Sequence, residues 1–152
     1  MHATKTAPAG TWTEDAIDSV TLDYDARFRR RIALQTDGGK PLLLDLAKAQ
    51  SLAQGDGLIT ETGIIIVRAA PERLAELRAC DTAHLVQLAW HLGNRHLPTE
   101  LSGDCLRIRY DHVIVDMARK LGAEVSEINA PFNPEGGAYG HGRTHSHDHR
   151  PD

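Results

Sequence analysis

Short alternating or β-branched apolar stretches fill the first seventy positions and predict strands. The predicted strands are residues 20–23, 28–35, 42–45 and 64–67, and the segment Gly55-Asp56-Gly57 introduces a further short extended piece. The turn signal Asp37-Gly38-Gly39 joins two of the strands as a hairpin. Residues 1–16 lack this pattern and are predicted to be a loose arm. The pattern therefore predicts a small, all-β N-terminal domain over residues 1–70.

After Pro71 the pattern changes to strands that alternate with helices. Asp81 is the predicted N-cap of one helix and Gly93 its stop, while Asp111 caps a second helix that Gly122 closes. The remaining predicted strands are residues 73–78, 99–102, 105–110 and 124–129. This order, β-α-β-β-α-β, is typical of the ferredoxin-like arrangement and predicts a second domain over residues 71–135. The chain is therefore predicted to be an α+β protein of two small domains.

Length, composition and charge limit the classes of protein to which the chain can belong. The 152 residues are 41% hydrophobic, which suffices for one ordinary core or two small ones. The formal charge of -4 disfavours nucleic acid as a partner. No membrane-spanning run or secretory signal is visible, so a cytoplasmic location is expected. A local basic run, formed by Arg27, Arg29, Arg30 and Arg31, is either the solvated edge of a strand or a partner contact.

Histidines are the most informative polar residues. Four of the nine lie in the last twelve positions, within a tail over residues 136–152 that has little to bury and is predicted to be flexible. They are His141, His145, His147 and His149. Neutral imidazole binds nickel, copper and zinc, and composition does not choose among these metals. The tail is therefore predicted to bind metal, the alternative being a solubilising role.

Three more histidines, His91, His96 and His112, lie in the part predicted to fold. The spacing of five residues between His91 and His96 does not place both on one helix face. The two histidines can contribute to one metal site only if the helix ends near Gly93 and the chain then turns before Pro98. By spacing alone, His91 and His96 are each as compatible with a structural role as with metal binding.

The segments AWHLGNRHLPTEL and LRIRYDHVIVDMARKLG, followed by a histidine-bearing tail, resemble the UreE family of urease accessory proteins, which are nickel metallochaperones. The resemblance covers the whole chain. It implies that His96 is the central nickel ligand, contributed by both subunits of a homodimer, and that His91 and His112 match secondary metal positions. Some relatives have a histidine two residues before His112, where this chain has Tyr110, so the resemblance leaves a peripheral site there in doubt.

The same resemblance implies metal transfer rather than catalysis. Nickel would be collected on exposed imidazoles, held between subunits and passed to the partner GTPase of urease maturation, UreG, for delivery into apo-urease. Zinc or copper would bind the same histidines. In this interpretation the N-terminal domain serves partner docking, with a structural spacer as the alternative.

Three other functions compete with nickel delivery. A metal-dependent hydrolase would use His91, His96 and His112 with Asp111 or Asp116 as a base, but nothing in the sequence fixes a base there. RNA binding would need paired aromatic residues on the central strands, where only Tyr110 is present. A storage or buffering protein for nickel or zinc is the closest alternative.

Overall fold

A computed structural model describes residues 1–136 of the chain. The chain divides into two compact units, Met1–Ala70 and a second that begins at Pro71. Unit 1 consists of strands, whereas unit 2 combines strands with two helices. Among residues 1–136, neither helix is long and apolar enough to cross a membrane.

Unit 1 is built on a six-stranded sheet. Its strands are β1 (His2–Ala7), β2 (Asp18–Leu22), β3 (Phe28–Gln35), β4 (Pro41–Ser51), β5 (Gly57–Thr60) and β6 (Ile64–Ala69). They lie in the order β2-β6-β5-β1-β4-β3. Alternate residues of these strands face a common apolar core, in which Leu44, Leu58, Ile65 and Val67 have no exposed surface. Completely burying one such side chain contributes roughly 1.5–3 kcal/mol to folding.

The predicted loose arm at the N-terminus is wrong for its first seven residues. Strand β1 lies inside the sheet, parallel to β4 and antiparallel to β5, and Ala3 is completely buried. The main-chain hydrogen bonds to two neighbouring strands compensate for the lack of apolar side chains. Because Ala3 is small and Thr and Lys surround it, this strand has no hydrophobic signature in the sequence.

The predicted hairpin around Asp37 is confirmed. Strands β3 and β4 pair antiparallel, with Gln35 opposite Pro41. Gly39 has a φ of 87°, which glycine adopts without the steric cost that a Cβ would bring. The Asp37 carboxylate accepts hydrogen bonds from the hydroxyls of Ser19 and Thr21 on β2, so this turn is fastened to the opposite edge strand.

Unit 2 has the element order β-α-β-β-α-β. Its elements are β7 (Pro71–Arg78), α1 (Thr82–Asn94), β8 (Glu100–Ser102), β9 (Cys105–Arg109), α2 (His112–Lys120) and β10 (Glu124–Pro131). The four strands pair antiparallel in the order β10-β7-β9-β8. Leu88 and Leu92 of α1 pack with Val115 and Ala118 of α2 in one apolar cluster that also contains strand residues.

The caps predicted for the two helices are present at their N-termini. The Asp81 side chain accepts the His84 backbone N–H, and the Asp111 side chain accepts those of Val113 and Ile114. Gly122 closes helix α2 as predicted: its φ is 86°, and its N–H donates to Arg119 O. The next N–H, that of Ala123, donates to Ala118 O. These two bonds form a Schellman motif with glycine in the left-handed position.

Candidate metal centre

His96 lies immediately after helix α1, in a conformation that side chains rarely adopt. Its φ is 54°, and it is the one non-glycine residue among residues 1–136 with a positive φ. Its N–H donates to Gly93 O, and the Leu97 N–H donates to Leu92 O. This is the same Schellman motif that ends α2, with His96 at the position that Gly122 holds there.

Helix α1 therefore ends just before His96, as predicted, but Gly93 is not the residue that ends it. Gly93 lies within α1, which continues to Asn94 and is capped by Arg95. The residue that turns the chain is His96, and Leu97 then packs against the apolar cluster that contains Leu92. A left-handed residue at this position costs about 1–2 kcal/mol unless it is glycine, and the two cap hydrogen bonds together with Leu97 compensate for that cost.

The result of this local structure is an exposed imidazole on a fixed backbone. His96 is exposed, and within the described residues its ring makes no hydrogen bond or ion pair. Its main chain is held on both sides, by the end of α1 and by buried contacts of Leu97. The ring nitrogens are consequently available to an external ligand, and their position requires little further ordering of the chain.

His91 and His112 lie on the walls of one open groove, which has a volume of ≈ 480 Å³. His91 belongs to the last turn of α1, and its ring meets the ring of Trp90 edge-on at a centroid distance of 5.0 Å. His112 is the first residue of α2, and Asp116 lies one turn later on the same helix face. The structure thus brings His91 and His112 into one groove, whose lining does not include His96.

Charged side chains also line this groove. Arg95 and Lys120 contribute two fixed positive charges and Asp116 one negative charge. Arg95 Nη1 donates to His91 O at 3.2 Å, which keeps the guanidinium beside the end of α1. Two cations against one carboxylate disfavour a divalent metal ion here. Within residues 1–136, no group of three or more His, Cys, Asp or Glu side chains has a geometry that could hold a metal ion.

His84 has a structural position that the sequence did not indicate. Its Nδ1 accepts the Cys80 N–H at 3.0 Å, and its Nε2 lies 2.7 Å from Leu121 O. The first bond requires Nδ1 without a proton, so Nε2 carries the proton and donates to the carbonyl. One imidazole thus joins the start of α1 to the end of α2, and both its nitrogens are occupied.

The four tail histidines, His141, His145, His147 and His149, lie outside the described residues. Of the seven metal ligands predicted from the sequence, the described part of the chain therefore places three. Arg95 and Lys120 are the groove residues that sequence reasoning missed. Arg95 follows His91 by four residues, and Lys120 follows His112 by eight. Because such spacings place two residues on one helix face, the sequence could have indicated that each cation lies beside a histidine.

Each of the two units matches a domain of one known protein family. The N-terminal domain of the family described as UreE urease accessory protein matches residues 1–70, and its C-terminal domain matches residues 72–152. The chain belongs to the UreE family of urease accessory proteins. Members of this family are named as accessory proteins of urease, and the expected resemblance is thereby confirmed.

Individual relatives are similar over most of the chain. The urease accessory protein UreE of Bradyrhizobium sp. strain BTAi1 is 55% identical over 140 residues, which are 91% of this chain and 68% of that protein. The UreE of Beijerinckia indica is 51% identical over 151 residues, covering 98% of this chain and 87% of the relative. The UreE of Ruegeria pomeroyi is 50% identical over 141 residues, 92% of each chain.

Proposed function

We propose that this protein is a nickel metallochaperone that acts in the maturation of urease. It binds nickel as cargo, holds it at an interface between two copies of the chain and delivers it to apo-urease through the accessory GTPase UreG. Family membership supports the connection to urease. The nickel-specific and partner-specific steps are our proposal, as is their location in the cytoplasm.

The observation that carries the proposal is the exposed imidazole of His96 on its conformationally fixed backbone. A helix end of this type normally uses glycine, as α2 does at Gly122. Histidine at this position makes the fold less stable than glycine would, but it presents a nitrogen ligand to the exterior. One imidazole does not hold a transition metal tightly, so a second ligand must come from elsewhere. A second copy of the chain provides one in the same geometry when His96 lies near a two-fold axis.

The surface of helix α1 supports such a homodimer. Val86 and Trp90 are spaced by one turn, lie on the same helix face, and are 63% and 62% exposed. Large apolar side chains exposed together are typical of an interface. Because α1 also positions His96, a symmetric contact through this helix would place the two His96 side chains near one another.

The remaining histidines have subordinate roles in this proposal. We expect His91 and His112 to bind metal more weakly than the paired His96 residues, because Arg95 and Lys120 repel a divalent ion in their groove. The tail histidines, His141, His145, His147 and His149, complete the coordination at His96 and increase capacity. Zinc and copper compete for the same nitrogens.

We propose further that unit 2 has the ferredoxin-like fold and is the metal-binding and dimerisation domain over residues 71–135. Its element order and its antiparallel strand order support this assignment. Unit 1, residues 1–70, is then the partner-docking domain, and residues 136–152 form the metal-binding tail.

Activation of apo-urease tests this function directly. Urease activity is measured after incubation of apo-urease and its accessory proteins with limiting nickel and with the full chain, His96→Ala, or a chain lacking residues 137–152. His96→Ala should abolish most of the activation that the full chain gives. The tail deletion should mainly lower the number of nickel ions bound, with a smaller effect on activation. His2→Ala, which removes one exposed imidazole from unit 1, is the matched control and should activate normally.

Two outcomes would contradict the proposal. Equal loss from His96→Ala and from the tail deletion would show that His96 has no central role. Nickel binding by the full chain without any activation of apo-urease would favour a storage or buffering protein, the closest alternative.

A further inference from the structure

Four exposed cations collect at one edge of the unit 1 sheet. Arg29, Arg30 and Arg31 are consecutive on β3, and the paired strand β4 has an irregularity opposite them. Arg29 pairs with Gln50 and Arg31 with Asp45, so residues 46–49 of β4 lie opposite Arg30 and bring Lys48 into the same region. We call Arg29, Arg30, Arg31 and Lys48 the basic edge.

The basic edge has no intramolecular counter-charges in the described part of the chain. None of its four side chains forms an ion pair or a side-chain hydrogen bond among residues 1–136. Asp45, the carboxylate opposite Arg31, lies instead 3.4 Å from His2 Nε2. All four cations are exposed, on a chain whose formal net charge is -4. Local positive charge on a negative protein attracts acidic partners specifically, since the rest of the surface repels them.

The main chain at this place is also available for pairing. Strand β3 is the last strand of the sheet, bonded to β4 on one side. Ile32 and Leu34 pack against the core, so by the alternation of strand residues Arg31 lies on the opposite face; Arg29, on the other side of the irregularity, is also exposed. An extended segment that added to β3 would pass these exposed arginines and hydrogen-bond to the outer groups of the strand.

We propose that the basic edge is a docking site for an acidic, extended segment of a partner protein, which adds to the sheet beside β3. Positive charge on an edge strand prevents a second copy of β3 from pairing with it, because the two edges repel each other. Nucleic acid is a poorer occupant, because the chain is negative as a whole. This inference goes beyond nickel binding and does not depend on it.

A peptide-binding experiment tests the inference with the full chain. The probe is a fluorescent ten-residue peptide of alternating Glu and Thr, and binding is measured by fluorescence anisotropy at low salt. The double variant Arg29→Ala/Arg31→Ala should bind it about fivefold more weakly, as expected for the loss of two exposed ion pairs. The double variant Lys5→Ala/Arg68→Ala removes two exposed cations elsewhere in unit 1 and is the matched control, since both proteins have the same net charge. It should bind as the unchanged protein does.

Additional probes separate this proposal from its alternatives. The same peptide with a methyl group on every backbone nitrogen has no N–H to donate to a strand and should bind more weakly. Equal weakening by both double variants would overturn the proposal, because net charge alone would then explain the binding. The proposal would also be overturned if an RNA oligonucleotide of equal charge bound more tightly than the peptide. Both variants should bind nickel normally, so a failure here is distinguishable from a failure of the proposed function.

Discussion

At the scale of single residues, His96 occupies the left-handed position that ends helix α1. Glycine is the usual left-handed residue at a helix end, which is why the sequence indicated Gly93. The better signal was the pair Leu92 and Leu97, followed by Pro98, because a Schellman motif brings the apolar residues five positions apart into contact. That spacing assigns the left-handed position to residue 96. The position of this imidazole at the helix end could therefore have been inferred from apolar spacing, but the groups that would share a metal ion with it could not.

Substitution of His96 by glycine should separate stability from metal binding. His96→Gly relieves the left-handed strain, so the free energy of unfolding should stay equal or rise by about 1 kcal/mol. His96→Ala retains that strain and is the matched control, since both variants lack the imidazole. We expect both to lose tight nickel binding in calorimetry, with the glycine variant the more stable in urea denaturation. A glycine variant less stable than the alanine variant would contradict the conformational argument, and retained tight nickel binding would contradict the site.

At the scale of elements, local signals predicted most of the strands and both helices. The hairpin of β3 and β4 and the caps Asp81 and Asp111 are confirmed, because turn and cap chemistry is encoded within a few residues. Strand β1 was missed since its stability comes from pairing with β4 and β5, which are more than forty residues away in sequence. No local sequence pattern around Ala3 indicates that this segment pairs with β4 and β5.

The turn between β3 and β4 predicts a pH dependence of stability. Hydrogen bonds from the Ser19 and Thr21 hydroxyls hold the pKa of the Asp37 carboxyl below its ordinary value. A carboxyl whose pKa is lower in the folded state stabilises the fold above its unfolded pKa of about 3.9, and this stabilisation disappears as pH falls through the folded pKa. Asp37→Asn should therefore cost about 0.5–1 kcal/mol at pH 7, a value kept small because solvent screens this exposed group.

Urea denaturation at several pH values measures this effect. The stability difference between Asp37→Asn and the unchanged protein should narrow below about pH 4, where the unfolded-state carboxyl becomes protonated. Asp15→Asn is the control, because Asp15 is exposed and accepts no hydrogen bond among the described residues. If the difference in free energy of unfolding stayed constant from pH 7 to pH 3, the hydrogen bonds to the ionised carboxylate would not contribute to stability.

At the scale of the whole molecule, the described residues do not bring the three candidate histidines that they include into one site. The described residues place His91 and His112 in one groove and His96 outside its lining. Within these residues no complete set of metal ligands forms. Sequence reasoning gave the candidate residues because imidazole chemistry is visible in composition. It could not give the geometry, because in our proposal the remaining ligands come from a second copy of the chain and from the tail.

Assembly is therefore the property on which the proposed nickel site depends most. Val86→Glu places a charge on the exposed apolar face of α1 and should separate the proposed dimer without unfolding the helix, because Val86 is 63% exposed. Sedimentation should show a monomer, and tight nickel binding should decrease because each monomer has a single His96. Ile59→Glu, a matched change at a 40% exposed position of β5, should leave both properties unchanged. If Val86→Glu remained dimeric with tight nickel binding, the interface would lie elsewhere; if it became monomeric but still bound nickel tightly, His96 would not be shared between subunits.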